Sequence, residues 1–195
     1  MVRHIVFLVA GLLAAASNVV AQRSSSSSSR GTGFWYAVGV APGWTRITCG
    51  ICAGARTTGL SVHVALGGRT SRSLRVAGEL AAWRERDAGI TQTLMSIGAA
   101  AYWYPSLSRF PRFHLRGGAA LNMHRASDGT DVVTGSGVGP QLGVGLEWPV
   151  GRNWLLGPFF HYSIGAGGKV AFNGGQAASS GTVSFLQMGI SLAQR

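Results

Sequence analysis

The chain has 195 residues, 46% of them hydrophobic, and a formal net charge of +11. Its length indicates a single domain. Beyond residue 21, no apolar run reaches the roughly 18–20 residues that a membrane-spanning helix needs, which excludes a helical membrane domain. Glycine accounts for 30 residues, and it occurs inside periodic segments as well as in turns, which argues against helices and favours a curved sheet.

The N-terminal 32 residues divide into two segments. Residues 1–21 have the form of a secretory signal peptide, in which Arg3 and His4 precede an apolar stretch and Ala21 supplies the small residue before a cleavage site. The alternative is an uncleaved anchor, for which the apolar stretch is too short. The serine-rich residues 22–32 predict a disordered tether.

From residue 33 to residue 193 the chain repeats segments of two-fold alternation. In residues 60–66, for example, Leu60, Val62, Val64 and Leu66 share one face, while the other face carries small and polar side chains. The predicted strands are residues 33–42, 58–67, 74–84, 91–104, 112–124, 137–148, 153–164 and 182–193.

Eight strands with an apolar face and a polar face admit two arrangements. A soluble exported barrel of the lipocalin kind would put the large apolar residues inside. A membrane barrel puts them outside and must close, because hydrocarbon leaves no partner for an unpaired strand edge. Aromatic residues near the strand ends, such as Trp35, Tyr36, Trp103, Trp148 and Trp154, are typical of interfacial belts and favour the membrane. We therefore predict an all-β fold: an eight-stranded antiparallel transmembrane β-barrel with a polar, plugged lumen.

The connections between the predicted strands differ in length from one end of the barrel to the other. The alternation of long and short connections is the asymmetry of outer-membrane barrels, which have longer outer loops and short periplasmic turns. This asymmetry predicts outer loops at residues 43–57, 84–91, 125–136 and 165–181, and periplasmic turns at 67–73, 105–111 and 149–152.

The chain resembles the small eight-stranded outer-membrane barrels, the family that includes the outer-membrane protein A and X type domains. The resemblance covers residues 33–193 and rests on the leader, the eight alternating segments, the loop asymmetry and the aromatic belts. It implies a location in the outer membrane of a Gram-negative-type bacterium. The chain departs from the family at its end, where Leu192 stands in place of the usual terminal aromatic residue.

Polar residues at the inward positions are the main candidate site. An eight-stranded barrel has an interior just wide enough for side chains to fill, and an unpaired buried charge is costly. We therefore predict that Glu147 bonds His114 and Arg116, and that Glu79 meets His63 or Arg75. The predicted lumen network consists of His63, Arg75, Glu79, His114, Arg116, Glu147 and His161.

Cys49 and Cys52 are the only cysteines. A zinc site would have just these two ligands, and nothing around them predicts the helix of a redox-active pair. In an exported loop the spacing favours a disulfide. We predict no metal site and no cofactor.

His161 and Ser163 are similar to the His-x-Ser part of the His-x-Ser-Asn motif of the outer-membrane lipid A deacylases. Ile164 stands where that family has its Asn, and no Asp or Glu follows Glu147. The alternation also turns His161 and Ser163 inward, away from lipid. We therefore expect no enzymatic activity and assign no catalytic residue.

The basic charge points to a partner at the membrane. The Arg residues are scattered over turns and loops rather than aligned along a helix, so nucleic acid is not expected. Anionic lipid headgroups are the expected partner, and a simply solvated surface is the alternative. We expect a monomeric, non-enzymatic outer-membrane barrel with a structural or surface-interaction role through its outer loops. The alternatives are a narrow channel and, less in keeping with the sequence, a lipid A-modifying hydrolase.

Overall fold

The computed structural model describes residues 33–49, 52–105 and 112–194. It contains eight long antiparallel strands and two two-residue strand segments, Cys52–Ala53 and Trp148–Pro149. The long strands are β1 (Phe34–Cys49), β2 (Thr57–Arg69), β3 (Leu74–Asp87), β4 (Ile90–Trp103), β5 (Phe113–Ser127), β6 (Val132–Leu146), β7 (Trp154–Phe172) and β8 (Gly175–Gln194). The predicted signal peptide and tether lie outside the described residues. Within the described residues, no helix is long and apolar enough to cross a membrane.

The sheet closes on itself. Each long strand pairs with the next, and β8 pairs with both β7 and β1, with Val40 opposite Ile190 at the closing seam. Every long strand therefore has two neighbours, and the predicted eight-stranded antiparallel barrel is confirmed. We call the end of the barrel that holds Phe34 and Gln194 the terminal end, and the opposite end the hairpin end.

The alternation of side chains sets the two surfaces as predicted: the outside carries large apolar side chains, and the inside carries small and polar side chains together with some large aromatic ones. Within the barrel, Trp83 is 2% exposed and Phe185 is fully buried, whereas Leu60 and Val138 on the outside are 68% and 62% exposed. An apolar exterior around a buried polar interior is the arrangement of a barrel that faces lipid.

The strands extend further at the hairpin end than the sequence predicts. Residues 43–57, 84–91, 125–136 and 165–181 were expected as loops, but β1, β3, β5, β7 and β8 run well into these segments. The prediction depended on apolar alternation, which stops where the strands are no longer expected to face lipid. Backbone pairing continues there without it, and the β7–β8 ladder shows register shifts between Gln176 and Val183.

Two of the hairpin-end connections are tight turns. Ala88 and Gly89 have φ values of 47° and 83°, and Asn173 and Gly174 have φ values of 48° and 83°. Positive φ at both central residues is the geometry of a two-residue hairpin turn, and Asn-Gly is the pair that this geometry favours most. At the terminal end, residues 70–73 and 150–153 form the described connections, and most of the predicted turn 105–111 lies outside the described residues.

The hairpin-end turns are bonded to one another. Asn173 donates from Nδ2 to Asp131 Oδ1 at 2.7 Å and accepts the Val132 N–H at 2.7 Å. Asp128 Oδ1 accepts the N–H groups of Asp131 and Thr130, and these bonds hold the pKa of the Asp128 carboxyl below its usual value. The β5–β6 and β7–β8 connections therefore support each other.

Candidate functional site

Among the described residues, four charged side chains are buried inside the barrel. Glu79 and Arg75 come from β3, Arg116 from β5, and Glu147 follows β6, and each of them is at most 6% exposed. Two arginines and two glutamates balance in charge. A balanced set can be buried only if each charge has a close partner, because an uncompensated buried charge is strongly destabilising.

The central cluster gathers around Glu79. Arg116 Nη1 donates to Glu79 Oε1 at 3.1 Å and lies 3.1 Å from His63 Nε2. Tyr102 donates its hydroxyl to the same carboxylate oxygen, and His63 Nε2 lies 3.7 Å from it. Glu79, Arg116, His63 and Tyr102 form a group that we call the central quartet.

A second group lies nearer the terminal end, around Glu147. Arg75 Nη1 lies 3.7 Å and His114 Nδ1 lies 3.9 Å from Glu147 Oε1, and Tyr104 donates its hydroxyl to this oxygen at 2.9 Å. The Arg75 guanidinium also lies 4.4 Å from the Tyr104 ring centroid and 5.3 Å from that of Trp35, which are cation–π distances. Glu147, Arg75, His114 and Tyr104 form the terminal quartet.

The predicted pairing of the charges is only partly found. Glu79 meets His63 and Glu147 meets His114, but Arg116 contacts Glu79 and Arg75 contacts Glu147. Arg116 was predicted to pair with Glu147 because β5 and β6 are adjacent strands. In a narrow barrel, inward side chains reach across the bore, so adjacency in the sheet does not fix the partner.

Glycines make room for these inward side chains. Gly143 and Gly145 on β6 lie opposite Arg116 and His114 on β5. A Cβ atom at Gly143 would lie 2.6 Å from Arg116 Nε, and one at Gly145 would lie 2.5 Å from His114 Cε1. The two long side chains therefore lie over bare backbone, which explains why glycine occurs inside a strand at these positions.

Next to the charged groups, uncharged residues form a continuous hydrogen-bonded chain. Ser61 Oγ lies 3.1 Å from Gln187 Oε1, Gln187 Nε2 lies 2.8 Å from His161 Nδ1, and His161 Nε2 lies 3.1 Å from Gln141 Oε1. Gln141 Nε2 then donates to the Ala99 carbonyl. With the amide groups in these orientations, His161 accepts at Nδ1 and donates from Nε2, so this chain is satisfied by a neutral imidazole.

Ser163 and His161 are not arranged as a nucleophile and base. Ser163 Oγ donates to Asn122 Oδ1 at 3.1 Å, and both ring nitrogens of His161 are bonded to glutamine side chains. A serine is activated by a base that takes its proton directly, and these bonds give His161 other partners. Both residues are buried inside the barrel, away from its exterior.

An apolar layer lies on the hairpin-end side of the two quartets. Its members are Ala81, Trp83, Leu94, Val183 and Phe185, with the half-buried Ile47 packed against them. Trp83 Nε1 donates to the Gly43 carbonyl at 2.9 Å, which satisfies its one polar atom. Sequence reasoning placed Trp83 inward but did not identify this layer. The sequence did contain a signal for this layer, because large apolar residues occur on the otherwise polar face of several strands.

The two cysteines lie opposite each other in the backbone ladder at the tip that follows β1. Residues directly opposite in an antiparallel pair have Cα atoms about 4.5–5.5 Å apart, within the range that a disulfide spans. The predicted disulfide between Cys49 and Cys52 stays a prediction. Among the described residues, no group of three or more His, Cys, Asp or Glu side chains could hold a metal ion.

Comparisons with known proteins support the fold through solved structures. No family model matches the chain, and no curated protein matches it. The crystal structure of Neisserial surface protein A (NspA) matches with a TM-score of 0.58 at 17% identity, over 85% of this chain and 99% of that one. Ail, the attachment invasion locus protein of Yersinia pestis, matches with a TM-score of 0.48 at 14% identity, over 82% and 97% of the two chains.

The outer-membrane protein OprG of Pseudomonas aeruginosa has a TM-score of 0.46 at 14% identity, over 84% of this chain and 95% of that one. The similarity to NspA extends over nearly the whole of that chain and supports the fold. This chain has the fold of the small eight-stranded outer-membrane β-barrels, as the resemblance in the sequence implied. Its apolar exterior agrees with the predicted location in an outer membrane.

Proposed function

We propose that this protein is a monomeric, non-enzymatic outer-membrane barrel that acts through its exterior and its hairpin end, not through a conducting lumen. The single observation that carries the proposal is the composition of the bore. Two quartets, each with one arginine and one glutamate in contact, occupy the same interior as the uncharged hydrogen-bonded chain. Side chains that contact one another across the bore are poorly suited to exchange partners with passing ions.

The conductance of the purified protein in planar bilayers tests this proposal. We expect wild-type insertion to produce no stable conductance steps above the bilayer baseline. A large, steady conductance would contradict the proposal. Lipid A incubated with the same preparation should be recovered with all of its acyl chains, and a loss of chains would contradict the non-enzymatic part.

A narrow channel is the second candidate, and one observation favours it. Several buried polar atoms of described residues have no hydrogen-bond partner within the protein, among them Arg75 Nη1, Arg116 Nη2 and Glu147 Oε2. Buried polar atoms of this kind are commonly satisfied by water. A thin file of water along the bore would give a small conductance, which the bilayer measurement distinguishes from none.

A further inference from the structure

We propose that the outside of β3, β4 and β5 binds one phosphorylated lipid of the outer leaflet, with its phosphate at Arg84, Arg86 and Arg125 and an acyl chain in a groove nearer the terminal end. The inference deepens the proposed function, since it rests on the exterior being the working surface. It needs a headgroup site, a path for the chain and a groove at the correct depth.

The headgroup site lies at the hairpin end of these strands. Arg84 on β3 is opposite Thr93 on β4, and Thr93 is opposite Arg125 on β5. Two residues further along, Arg86 is opposite Thr91, and Thr91 is opposite Ser127. Guanidinium groups are well suited to bind phosphate oxygens through two parallel hydrogen bonds, whereas the Thr93 hydroxyl already donates to the Arg125 carbonyl oxygen.

The three arginines are available to a ligand. All three are exposed, and among the described residues none of their side chains forms an ion pair or a hydrogen bond. Arg46, also near the hairpin end, differs because its Nε donates to the Gly54 carbonyl. An arginine cluster at one level of a membrane barrel attracts the anionic surface of the leaflet next to it.

Apolar side chains occupy the rows between the arginines and the groove. Outward-facing residues that lie opposite each other on β3, β4 and β5 form rows across the sheet. The first row on the terminal-end side of Arg84 and Arg125 contains Met95 and Met123, and the next row contains Leu80, Ile97 and Leu121. Met95 is 42% exposed and Ile97 is 47% exposed. These flexible and branched side chains give an acyl chain a continuous apolar path away from the charged row.

The path leads to a shallow groove with a volume of about 490 Å³. Among its outward-facing residues are Leu66, Val76, Gly78, Ala99, Ala101 and Gly117. The glycines and alanines among them leave the wall of the barrel thin and its backbone close to the surface. An acyl chain in the groove would replace the packing that larger side chains provide elsewhere on the exterior.

The strands do not themselves require glycine on this face. A Cβ atom at Gly78 would approach nothing closer than 4.0 Å, and one at Gly117 would lie 3.6 Å from Leu142 Cδ2, an ordinary contact. The inward Gly143 is different, because a Cβ atom there would lie 2.5 Å from the Phe160 carbonyl oxygen. The fold therefore leaves the groove open at positions where larger residues would fit.

The distance between the arginines and the groove matches one leaflet. Arg84 and Gly78 are six residues apart on β3, which is about 20 Å along a strand. With the usual strand tilt of about 40°, this is about 15 Å along the membrane normal, slightly more than half of the apolar band of about 25 Å on an outer-membrane barrel. A lipid with its phosphate at Arg84 would therefore place the end of its chain at the groove.

Lipid retention by the full-length folded protein tests the assignment. The barrel is reconstituted in phosphatidylcholine vesicles that contain a minor fraction of lipid A, extracted in dodecyl maltoside, and analysed by mass spectrometry for retained lipid. We expect a single retained lipid A for the wild type and at least about tenfold less for the R84Q/R125Q variant, because charge-assisted hydrogen bonds are lost. The R72Q variant, which removes an exposed arginine from the terminal end, should retain as much as the wild type.

Gly78→Leu tests the groove without altering the headgroup site. It should fold, as judged by heat-modifiability on a detergent gel, and should retain several-fold less lipid A. Val38→Leu, an apolar enlargement on the outside of β1, is the matched control and should behave as the wild type. Equal retention by Gly78→Leu and the wild type would overturn the groove, and equal retention of dephosphorylated lipid A would overturn the phosphate site.

The lipid-retention and conductance measurements can fail independently of each other. A wild type that retains lipid A but conducts steadily overturns the closed bore and leaves the lipid site standing. A wild type that neither conducts nor retains lipid A overturns the lipid site alone.

Discussion

Each buried carboxylate in the bore has the same set of partners. Glu79 has Arg116, His63 and Tyr102, and Glu147 has Arg75, His114 and Tyr104. In each quartet one arginine supplies the opposite charge and one tyrosine supplies a neutral hydroxyl donor. The repetition shows how the interior of this barrel surrounds each buried carboxylate with one arginine, one histidine and one tyrosine.

The Glu79→Gln variant should be markedly less stable than the wild type. It leaves Arg116 without a counter-charge, and breaking a buried pair by removing one partner costs about 3–5 kcal/mol. Urea unfolding of the barrel in lipid vesicles measures the difference in unfolding free energy. Leu80→Val, which shortens a neighbouring side chain on the exterior, is the control and should cost less than about 1.5 kcal/mol.

A double variant checks that the pair is the cause. Adding Arg116→Gln to Glu79→Gln removes the stranded charge, so the double variant should lose less than the sum of the two single losses. Strict additivity would show that the two side chains act independently, contrary to the contact between them.

The Gly143→Ala variant should also be destabilised, through a different route. The added methyl would lie 2.6 Å from Arg116 Nε and 2.5 Å from the Phe160 carbonyl oxygen, so the arginine and the β7 backbone must both shift. Overpacking of this kind costs about 1–3 kcal/mol. Gly117→Ala, on the outside of β5, is the matched control, and the same unfolding measurement should show no loss for it.

At the scale of the strands, alternation predicts the membrane-spanning part of the fold and stops where the membrane does. Leu60 to Leu66 showed both faces of β2 in the sequence, and the structure places them as expected. Residues 165–168 are all glycine or alanine, so β7 could not be followed there by pattern. Asn173-Gly174 was a readable signal for a tight hairpin, and the sequence interpretation missed it.

The contacts inside the barrel were less predictable than its faces. Alternation placed His63, Arg75, Glu79 and Arg116 inside. It does not show at which height along the bore each side chain lies, or how far each side chain extends across the bore. The pairing of Arg116 with Glu79 joins β5 to β3 past the intervening β4. Only three-dimensional closure brings these side chains together.

The direction of the barrel in the membrane has a direct test. Thr130→Cys at the hairpin end and Ser71→Cys at the terminal end are compared in a background with Cys49 and Cys52 replaced by serine. A membrane-impermeant maleimide added to intact cells should label the first variant and spare the second until the cells are permeabilised. Labelling of Ser71→Cys alone would reverse the orientation.

The same reagent tests the disulfide in the unsubstituted protein. Cys49 and Cys52 close a ring of a few residues, so their bond should fix the tip of one hairpin and contribute little to global stability. The denatured, unreduced protein should take up no maleimide, and the reduced protein should take up two. Labelling of both cysteines before reduction would contradict the pairing.

At the scale of the whole molecule, both polar and apolar side chains fill the bore. The two quartets lie between an apolar cluster that includes Trp35 and Leu155 near the terminal end and the layer of Trp83, Leu94, Val183 and Phe185 on the hairpin-end side. An ion moving along the bore would have to pass the polar side chains as well as the apolar layer. Removal of the apolar layer alone should therefore leave the bore closed, because the polar side chains still obstruct it.

Phe185→Ala separates stability from closure. Truncation of a fully buried phenylalanine should cost about 3–5 kcal/mol, while the conductance in planar bilayers should stay at the wild-type level because the polar filling is untouched. Phe160→Ala removes the same side chain from the exterior, where it is 39% exposed, and should cost less stability with the same lack of conductance. A conductance step that appears with Phe185→Ala and not with Phe160→Ala would place the seal in the apolar layer. The quartets would then be solvated well enough to let ions pass, and the apolar layer rather than the quartets would close the wild-type bore.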